Sequence, residues 1–290
     1  MNCPKELKIR NNFNLKFNTT FKIGGVAKYF CEPKDLKGLK SILLWANKNK
    51  LPVFVLGAGS NILVNDKEVK GLVIRLRSSF FKNIFVRKDC IYAGAGALIS
   101  QIISFAKNKS LAGLEFLSGI PGTLGGAIVM NAGCWDKDIS RITKEVMVID
   151  YFGNIKILKK NKLKFEYRNS NLSKYVILSA VLKLNKGDAV CIKKNIIFNL
   201  KNKCLTQDLT SPSAGCIFKN PKGKFAGRLI DQCSLKGKRI NDAVVSSKHA
   251  NFILNKGKAS SGDVLRLIKL IQRKVKQRFN INLEPEIKIW

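Results

Sequence analysis

One segment constrains this chain more than any other: residues 113–135, GLEFLSGIPGTLGGAIVMNAGCW. It places Gly119, Gly122, Gly125, Gly126 and Gly133 around the single Pro121, and Glu115 is its only charged side chain. Glycine loses more backbone entropy on folding than any other residue, so a globular chain concentrates it where backbone must approach something closely. An uncharged, glycine-dense segment in a basic chain therefore predicts one of two things. Either it contacts a flat apolar ligand, or it packs tightly inside the fold.

With 290 residues the chain can bury sizeable cores and divide into two or three domains. No run approaches the ~20 apolar residues that span a bilayer. The leading MNCPKELKIRNNFNLKF lacks the apolar core and cleavage site of a secretory signal. The expectation is a cytoplasmic protein with no membrane insertion. The formal net charge of +34 raises the question of nucleic acid. Lys, however, is spread over the whole length beside abundant Asn and Ile, the pattern that AT-rich codons produce. No aromatic-interleaved basic strand, zinc pattern or recognition helix accompanies it. No nucleic-acid partner is expected, although the charge suits diphosphate ligands. The cysteines (Cys3, Cys31, Cys90, Cys134, Cys191, Cys204, Cys216 and Cys233) form no CxxC and read as reduced, mostly buried residues. His249 is the only histidine, which excludes a multi-histidine metal site and disfavours a Ser-His-Asp hydrolase. No metal is expected.

Local patterning predicts the elements. Residues 18–25 read as a short strand entering a glycine turn. Asp35 is placed to cap a helix with apolar positions Leu36, Leu39, Leu43 and Ala46, ended by Pro52. Residues 53–56 read as a buried strand, 62–64, 72–76 and 91–93 as further strands, and 98–107 as a helix. A short helix begins near Gly122, and strands follow at 146–150, 155–158 and 176–184. A second region from Asp188 holds a Lys-rich amphipathic helix and a helix around 226–232. Its last helix has Ser261 as N-cap, Asp263 in the first turn, and Val264, Leu267, Ile268, Ile271 and Val275 as its buried stripe. Strands and helices mix without strict βα alternation, which favours α+β over a Rossmann sheet.

Two glycine loops carry the candidate chemistry. Gly57-Ala58-Gly59-Ser60-Asn61 follows a strand, where backbone N–H groups can cradle a diphosphate. Residues 119–126 form the second loop. Two such loops in one domain point to a large diphosphate-containing cofactor, and neither ends in the Gly-Lys-Ser/Thr of a nucleoside triphosphatase.

In order along the chain stand NTTFKIGG, VLGAGSNILV, GLEFLSGIPGTLGGAIVMNAG, FEYRNS, PSAGCIFKNP, GRLIDQCSLKGKRI, SKHANFILN and LEPEIKI. Together these blocks closely resemble the UDP-N-acetylenolpyruvoylglucosamine reductase family, flavoenzymes of peptidoglycan precursor synthesis. The resemblance implies an α+β, FAD-binding fold of the vanillyl-alcohol-oxidase (PCMH) type. It implies two FAD-binding subdomains, over 1–80 and 81–187, and an α+β substrate-binding domain over 188–290, whose last strand carries Glu286 into the active site. It further implies noncovalent FAD reduced by NADPH, with UDP-N-acetylglucosamine enolpyruvate as substrate. Hydride then passes from flavin N5 to the methylene carbon, and a proton to its neighbour yields UDP-N-acetylmuramate. The cofactor contacts so implied are Gly57, Ala58, Gly59, Ser60 and Asn61, and Gly119, Gly122, Thr123, Gly125 and Gly126.

Hydride addition to an enolpyruvyl ether builds negative charge on its carboxylate, which calls for a nearby cation or proton-sharing acid. The adjacent carbon needs a positioned proton donor. The resemblance implies Arg168, in FEYRNS, at the carboxylate. It implies Cys216 as the donor, at a position where the family often carries Ser. It implies Glu286, in LEPEIKI, sharing a proton with the enolate or orienting the donor. On the residues alone Arg168 reads as a solvated cation, Cys216 as a small core residue and Glu286 as a surface charge. Alternation along a strand would put Glu284 on the same face as Glu286, so the motif makes the choice. Tyr167, Lys219, Asn220 and His249 are the implied substrate-binding residues.

Two other readings remain at this point. One is a different flavin oxidoreductase of the same fold. Many of those tether FAD through a histidine in the amino-terminal half, and this chain has none before His249, so its flavin should be noncovalent. The other is a non-catalytic UDP-sugar or nucleic-acid binder, against which the joint presence of Arg168, Cys216 and Glu286 weighs.

Overall fold

The computed structural model describes residues 7–290, so Cys3 lies outside the described residues. The α-helices are α1 (Leu36–Lys48), α2 (Ile99–Asn108), α3 (Leu124–Val129), α4 (Ala189–Thr206), α5 (Ala226–Gln232) and α6 (Ser261–Phe279). In α1 the Asp35 carboxylate accepts from the Gly38 N–H at 2.8 Å, satisfying one of the orphan donors of the first turn. Leu39, Leu43 and Ala46 are buried as expected, joined by Ile42 and Trp45. The helix stops at Lys48, before Pro52.

The described residues group by contact into two compact units that interleave along the chain. The first comprises the described part of Met1–Asn11 with Tyr29–Ala58 and Lys70–Asn202. The second comprises Asn12–Lys28, Gly59–Val69 and Lys203–Trp290. This grouping differs from a sequential division at 80 and 187. Local pairing explains why: Lys288–Ile289 runs parallel to Ile62–Leu63, and the Asn255 side chain donates to the Phe21 carbonyl at 3.1 Å.

The first unit is built on an antiparallel five-stranded sheet. Its spatial order is Ile155–Lys159, Thr143–Ile149, Val176–Lys183, Cys90–Gly94 and Ile84–Arg87. One face, including Val146, Val148, Ala180 and Leu182, packs with α2 and α3 in a single apolar core. That core also takes in α1, Tyr29 and Cys31, Val53, and Leu72 and Ile74. The second unit has an antiparallel sheet ordered Ser213–Cys216, Phe252–Asn255, Ala243–Val245 and Arg239–Ile240. Against it pack Leu229 and Ile230 of α5 and the predicted stripe of α6.

Four local expectations change. Residues 18–25 are not a strand. The Thr19 hydroxyl donates to the Lys16 and Ile23 carbonyls and Lys22 has φ 57°, which closes a turn, and extended backbone starts only at Val26. Residues 53–55 form a sheet-edge strand, half-buried at Val53 and Phe54 and exposed at Val55, so only Leu56 just beyond is fully buried. The N-cap of α6 is Ser260, one residue earlier than expected, and Ser261 instead bonds the Asp66 carboxylate through both its N–H (2.7 Å) and its hydroxyl (2.8 Å). Glu286 precedes the terminal strand Lys288–Ile289 and is not part of it. In addition α4 is not amphipathic in the ordinary sense, since Val190, Ile197, Phe198, Leu200 and Leu205 are exposed.

Candidate functional site

In the first unit, Arg168 is the second residue of the two-residue turn joining Phe165–Glu166 to Asn169–Ser170. It holds φ 56°, a left-handed conformation that is uncommon for a non-glycine residue. The hairpin is latched from outside. Ser170 Oγ donates to the Val129 carbonyl at 2.9 Å, and Asn131 Nδ2 donates to the Glu166 carbonyl at 3.0 Å. The Arg168 guanidinium lies 5.1 Å over the Tyr167 ring, and its Nη2 donates to the Gly133 carbonyl at 2.9 Å. Gly133 is where it is because a Cβ there would meet the Lys137 carbonyl oxygen at 2.1 Å. The last glycine of the opening segment therefore helps aim the arginine, a part the sequence did not assign to it. Tyr167 is half-exposed.

Gly57 meets the second glycine loop in this unit. A Cβ on Gly57 would lie 2.7 Å from Thr123 Oγ1, so no side chain intervenes between Gly57 and the turn into α3. Within α3, the Leu124 and Gly125 N–H groups donate to the Ala97 and Ala95 carbonyls, and Gly126 N–H donates to Thr123 Oγ1. These donors are already engaged, and a Cβ on Gly125 would lie 3.1 Å from that of Ala95. Gly125 is thus explained by packing, whereas Gly126 shows an open Cα face. Gly119 supplies a positive φ of 73° after the one-turn 3-10 helix Glu115–Leu117. Neither loop contains a carboxylate, and Gly57, Ala58, Gly122 and Thr123 are half-buried. An uncharged, glycine-lined surface of this kind allows a flat ligand to approach the backbone closely, while the engaged N–H groups of α3 are not the ones that would receive a diphosphate.

In the second unit, Cys216 directly follows an irregularity in the Ser213–Cys216 strand, where the register against Phe252–Asn255 shifts and Gly215 takes φ 75°. Such bulges bend a strand and re-aim the side chain that follows. Beyond it, Asn251 clamps the chain: its backbone carbonyl accepts from Ile217 N–H at 2.8 Å, its Oδ1 accepts from Phe218 N–H at 2.9 Å, and its Nδ2 donates to the Phe218 carbonyl at 2.8 Å. Residues 217–219 then run antiparallel to 284–286. Glu286 N–H donates to the Ile217 carbonyl at 2.7 Å and Lys219 N–H to the Glu284 carbonyl at 2.9 Å. The backbone of Glu286 is thereby bonded to the residue next to Cys216. Asn61 joins the same cluster, donating from Nδ2 to the Glu286 carbonyl at 3.3 Å while its own carbonyl accepts from Lys288 N–H at 2.9 Å. Three residues far apart in sequence (Asn61, Cys216 and Glu286) are brought to one place.

Gly59 sits at φ 70°, and a Cβ there would lie 2.2 Å from the Asn18 carbonyl oxygen. Thr20 secures this loop: its N–H donates to the Gly59 carbonyl at 3.0 Å and its hydroxyl to the Ser213 carbonyl at 2.7 Å. Thr20 and Asn251 were not singled out from the sequence, although both lie in motif blocks, NTTFKIGG and SKHANFILN. Of the other candidates, Lys219 pairs with Glu284 at 2.6 Å and Asn220 Oδ1 accepts from Ala226 N–H at 3.0 Å. His249 Nδ1 accepts from Asn251 N–H at 3.3 Å, and burial pushes its pKa below the ordinary value. Nδ1 is therefore unprotonated, and Nε2 carries the proton of the neutral ring. Among the described residues no cluster of His, Cys, Asp or Glu could hold a metal, and no helix is long and apolar enough to cross a membrane.

Comparison with known proteins agrees with this anatomy. Residues 27–159 match the FAD binding domain family and residues 207–290 match the UDP-N-acetylenolpyruvoylglucosamine reductase, C-terminal domain. The chain is 42% identical to the UDP-N-acetylenolpyruvoylglucosamine reductase of Caldanaerobacter subterraneus subsp. tengcongensis, over 98% of this chain and 94% of that protein. It is 40% identical to that of Clostridium novyi, over 97% and 92%. The crystal structure of the reductase from Thermus caldophilus superposes with a TM-score of 0.83 at 34% identity, covering 98% of both chains. Cholesterol oxidase from Brevibacterium sterolicum, at 15% identity and a TM-score of 0.51 over 64% of this chain and 38% of that one, shares the fold alone. From its α+β fold, its two glycine loops and a likeness that spans nearly the whole sequence, the chain belongs to the UDP-N-acetylenolpyruvoylglucosamine reductase family of flavin-dependent oxidoreductases.

Proposed function

We propose that this protein catalyses the NADPH-dependent reduction of UDP-N-acetylglucosamine enolpyruvate to UDP-N-acetylmuramate, with noncovalent FAD as its redox cofactor. FAD, when bound, supplies the hydride chemistry, and residues 57–61 with the Gly119–Gly126 loop are the groups that would hold it. The observation that carries the reading is the junction of Glu286 with the Cys216 strand, where the Glu286 N–H meets the Ile217 carbonyl at 2.7 Å. A proton donor and an acid are wanted together when an enolate must be quenched.

In this reading Arg168, held by the Gly133 carbonyl, pairs with the substrate carboxylate and stabilises the charge that develops there. The Cys216 thiol delivers the proton to the carbon bearing the carboxylate. An unperturbed thiol near 8.5 is mostly protonated at neutral pH and more acidic than a hydroxyl, so it suits this task. Glu286 shares a proton with the developing enolate or orients the thiol. Tyr167, Lys219, Asn220 and the neutral His249 contact the UDP-sugar. The location that fits this chemistry is the cytoplasm, where NADPH and the nucleotide sugar are both available.

The test is an absorbance assay at the NADPH band with purified, FAD-loaded protein. Oxidation should depend on the enolpyruvyl substrate, and NADPH consumption indifferent to that substrate refutes the reading. Cys216→Ala should leave flavin reduction by NADPH intact while slowing substrate-driven reoxidation by roughly 10²–10⁴-fold. If both half-reactions survive unchanged, Cys216 is not the donor.

A further inference from the structure

The strand that carries Cys216 runs out of regular pairing just beyond that residue. The register against Phe252–Asn255 ends with Cys216 opposite Phe252, and one further main-chain bond follows, from Ile217 N–H to the Asn251 carbonyl at 2.8 Å. Phe218 is 1% exposed, so its N–H and carbonyl must still be paired inside the protein. One side chain pairs both. Asn251 Oδ1 accepts from Phe218 N–H at 2.9 Å, and Nδ2 donates to the Phe218 carbonyl at 2.8 Å. A carboxamide carries the donor and the acceptor of a peptide unit, so Asn251 stands in for the strand that is missing here.

Asn251 is itself fixed. It is 3% exposed, and its N–H donates to His249 Nδ1 at 3.3 Å. The other edge of residues 217–219 is taken by residues 284–286. Glu286 N–H donates to the Ile217 carbonyl, Lys219 N–H donates to the Glu284 carbonyl, and Phe218 bridges to Pro285. A slip of this run would leave both Phe218 groups buried without partners, which pins its register. On the amino-terminal side of Cys216 the ladder is interrupted, with Gly215 at φ 75° and a shift in register. The place of the thiol is therefore set from the carboxyl-terminal side, where the Asn251 amide acts.

We propose that Asn251 is a positioning residue for proton delivery. It acts through the 217–219 run, which fixes the Cys216 thiol and the Glu286 backbone relative to each other. The proposal rests on the reading of Cys216 as proton donor, and its test separates the two.

The test is a double-mutant cycle on FAD-loaded protein, with the two half-reactions followed by stopped-flow flavin absorbance. Asn251→Ala should accept electrons from NADPH at the wild-type rate and be reoxidised by the enolpyruvyl substrate about 10²-fold more slowly, the loss that goes with a donor misplaced by about 1 Å. Added to Cys216→Ala, the same change should slow reoxidation by no more than about two-fold further, because the group it positions is already gone. Asn251→Asp keeps the volume and the acceptor for Phe218 N–H but loses the donor, and it carries the same cycle if the alanine variant does not retain flavin. Wild-type reoxidation in Cys216→Ala refutes the donor reading, and the proposal falls with it. If Cys216→Ala is slow, wild-type reoxidation in Asn251→Ala overturns the positioning role alone. The full Asn251 effect persisting in the Cys216→Ala background overturns it too. Equal slowing of both half-reactions, or loss of flavin from both Asn251 variants, assigns Asn251 to the fold and overturns it as well.

Discussion

Asp263 offers the sharpest quantitative test of how α6 is held. Its carboxylate, 4% exposed, sits in a capping box: Ser260 Oγ accepts from Asp263 N–H at 3.1 Å while Ser260 N–H donates back to Oδ2 at 2.9 Å. Asn241 Nδ2 (2.8 Å) and Arg266 Nη2 (2.5 Å) donate to Oδ1. Burial by itself raises the pKa of this carboxyl. The hydrogen bonds from Ser260, Arg266 and Asn241 outweigh it and hold the value at about 2, against an ordinary 3.8. That difference corresponds to about 2 kcal/mol of folding stability carried by the ionised form. Because the folded pKa is depressed, the contribution is complete above about pH 4 and disappears as pH falls through about 2. Asp263→Asn keeps the shape and removes the charge. At pH 7 it should be destabilised by about 2 kcal/mol, read as a shift in urea midpoint by circular dichroism. The gap to wild type should narrow steadily between about pH 4 and pH 3. A gap that stays constant over that range refutes the reasoning, since the carboxylate charge would then contribute nothing. The consequence reaches the site, because Gln272 on α6 donates to the Leu283 carbonyl at 2.9 Å, just ahead of Glu286.

Other outcomes follow from single residues. Gly59→Ala must place a Cβ 2.2 Å from the Asn18 carbonyl oxygen at φ 70°, so it should cost roughly 2 kcal/mol or more and reduce FAD retention on gel filtration; full retention at wild-type stability contradicts the loop geometry. Arg168→Lys removes the fork that holds Gly133, and kcat/KM should fall roughly 10²–10³-fold with flavin reduction by NADPH unaffected; an equal loss in both half-reactions would show that the arginine supports the fold. His249, the lone histidine, should titrate by proton NMR below its ordinary 6.5, because burial opposes its charged form. Its contribution to stability is then present above about pH 6.5 and lost as pH falls through the folded value; a midpoint at or above 6.5 contradicts the buried, neutral ring. Cys216→Ser should keep measurable turnover, since a hydroxyl can also donate the proton, and complete inactivity alongside an active Cys216→Ala would exclude the donor role.

Local pattern decided what local physics controls. Asp35 as cap of α1, the α6 stripe from Val264 to Val275 and strands near 72–74, 91–93, 146–149, 155–158 and 176–183 were legible because capping and burial periodicity act over a few residues, whereas the short strands of the second unit's sheet were not. The glycines announced close approach, but their partners were not readable. Only the folded chain shows that Gly57 abuts Thr123, that Gly125 packs on Ala95, and that Gly133 aims Arg168. The same holds for Cys216 and Glu286. Motif blocks named them, whereas their adjacency arises from hydrogen bonds between residues 217–219 and 284–286 that no local rule encodes. The exposure of Val190, Ile197, Phe198, Leu200 and Leu205 on α4 escaped for a related reason: periodicity shows that a helix has faces, and only packing decides which of them meets the core.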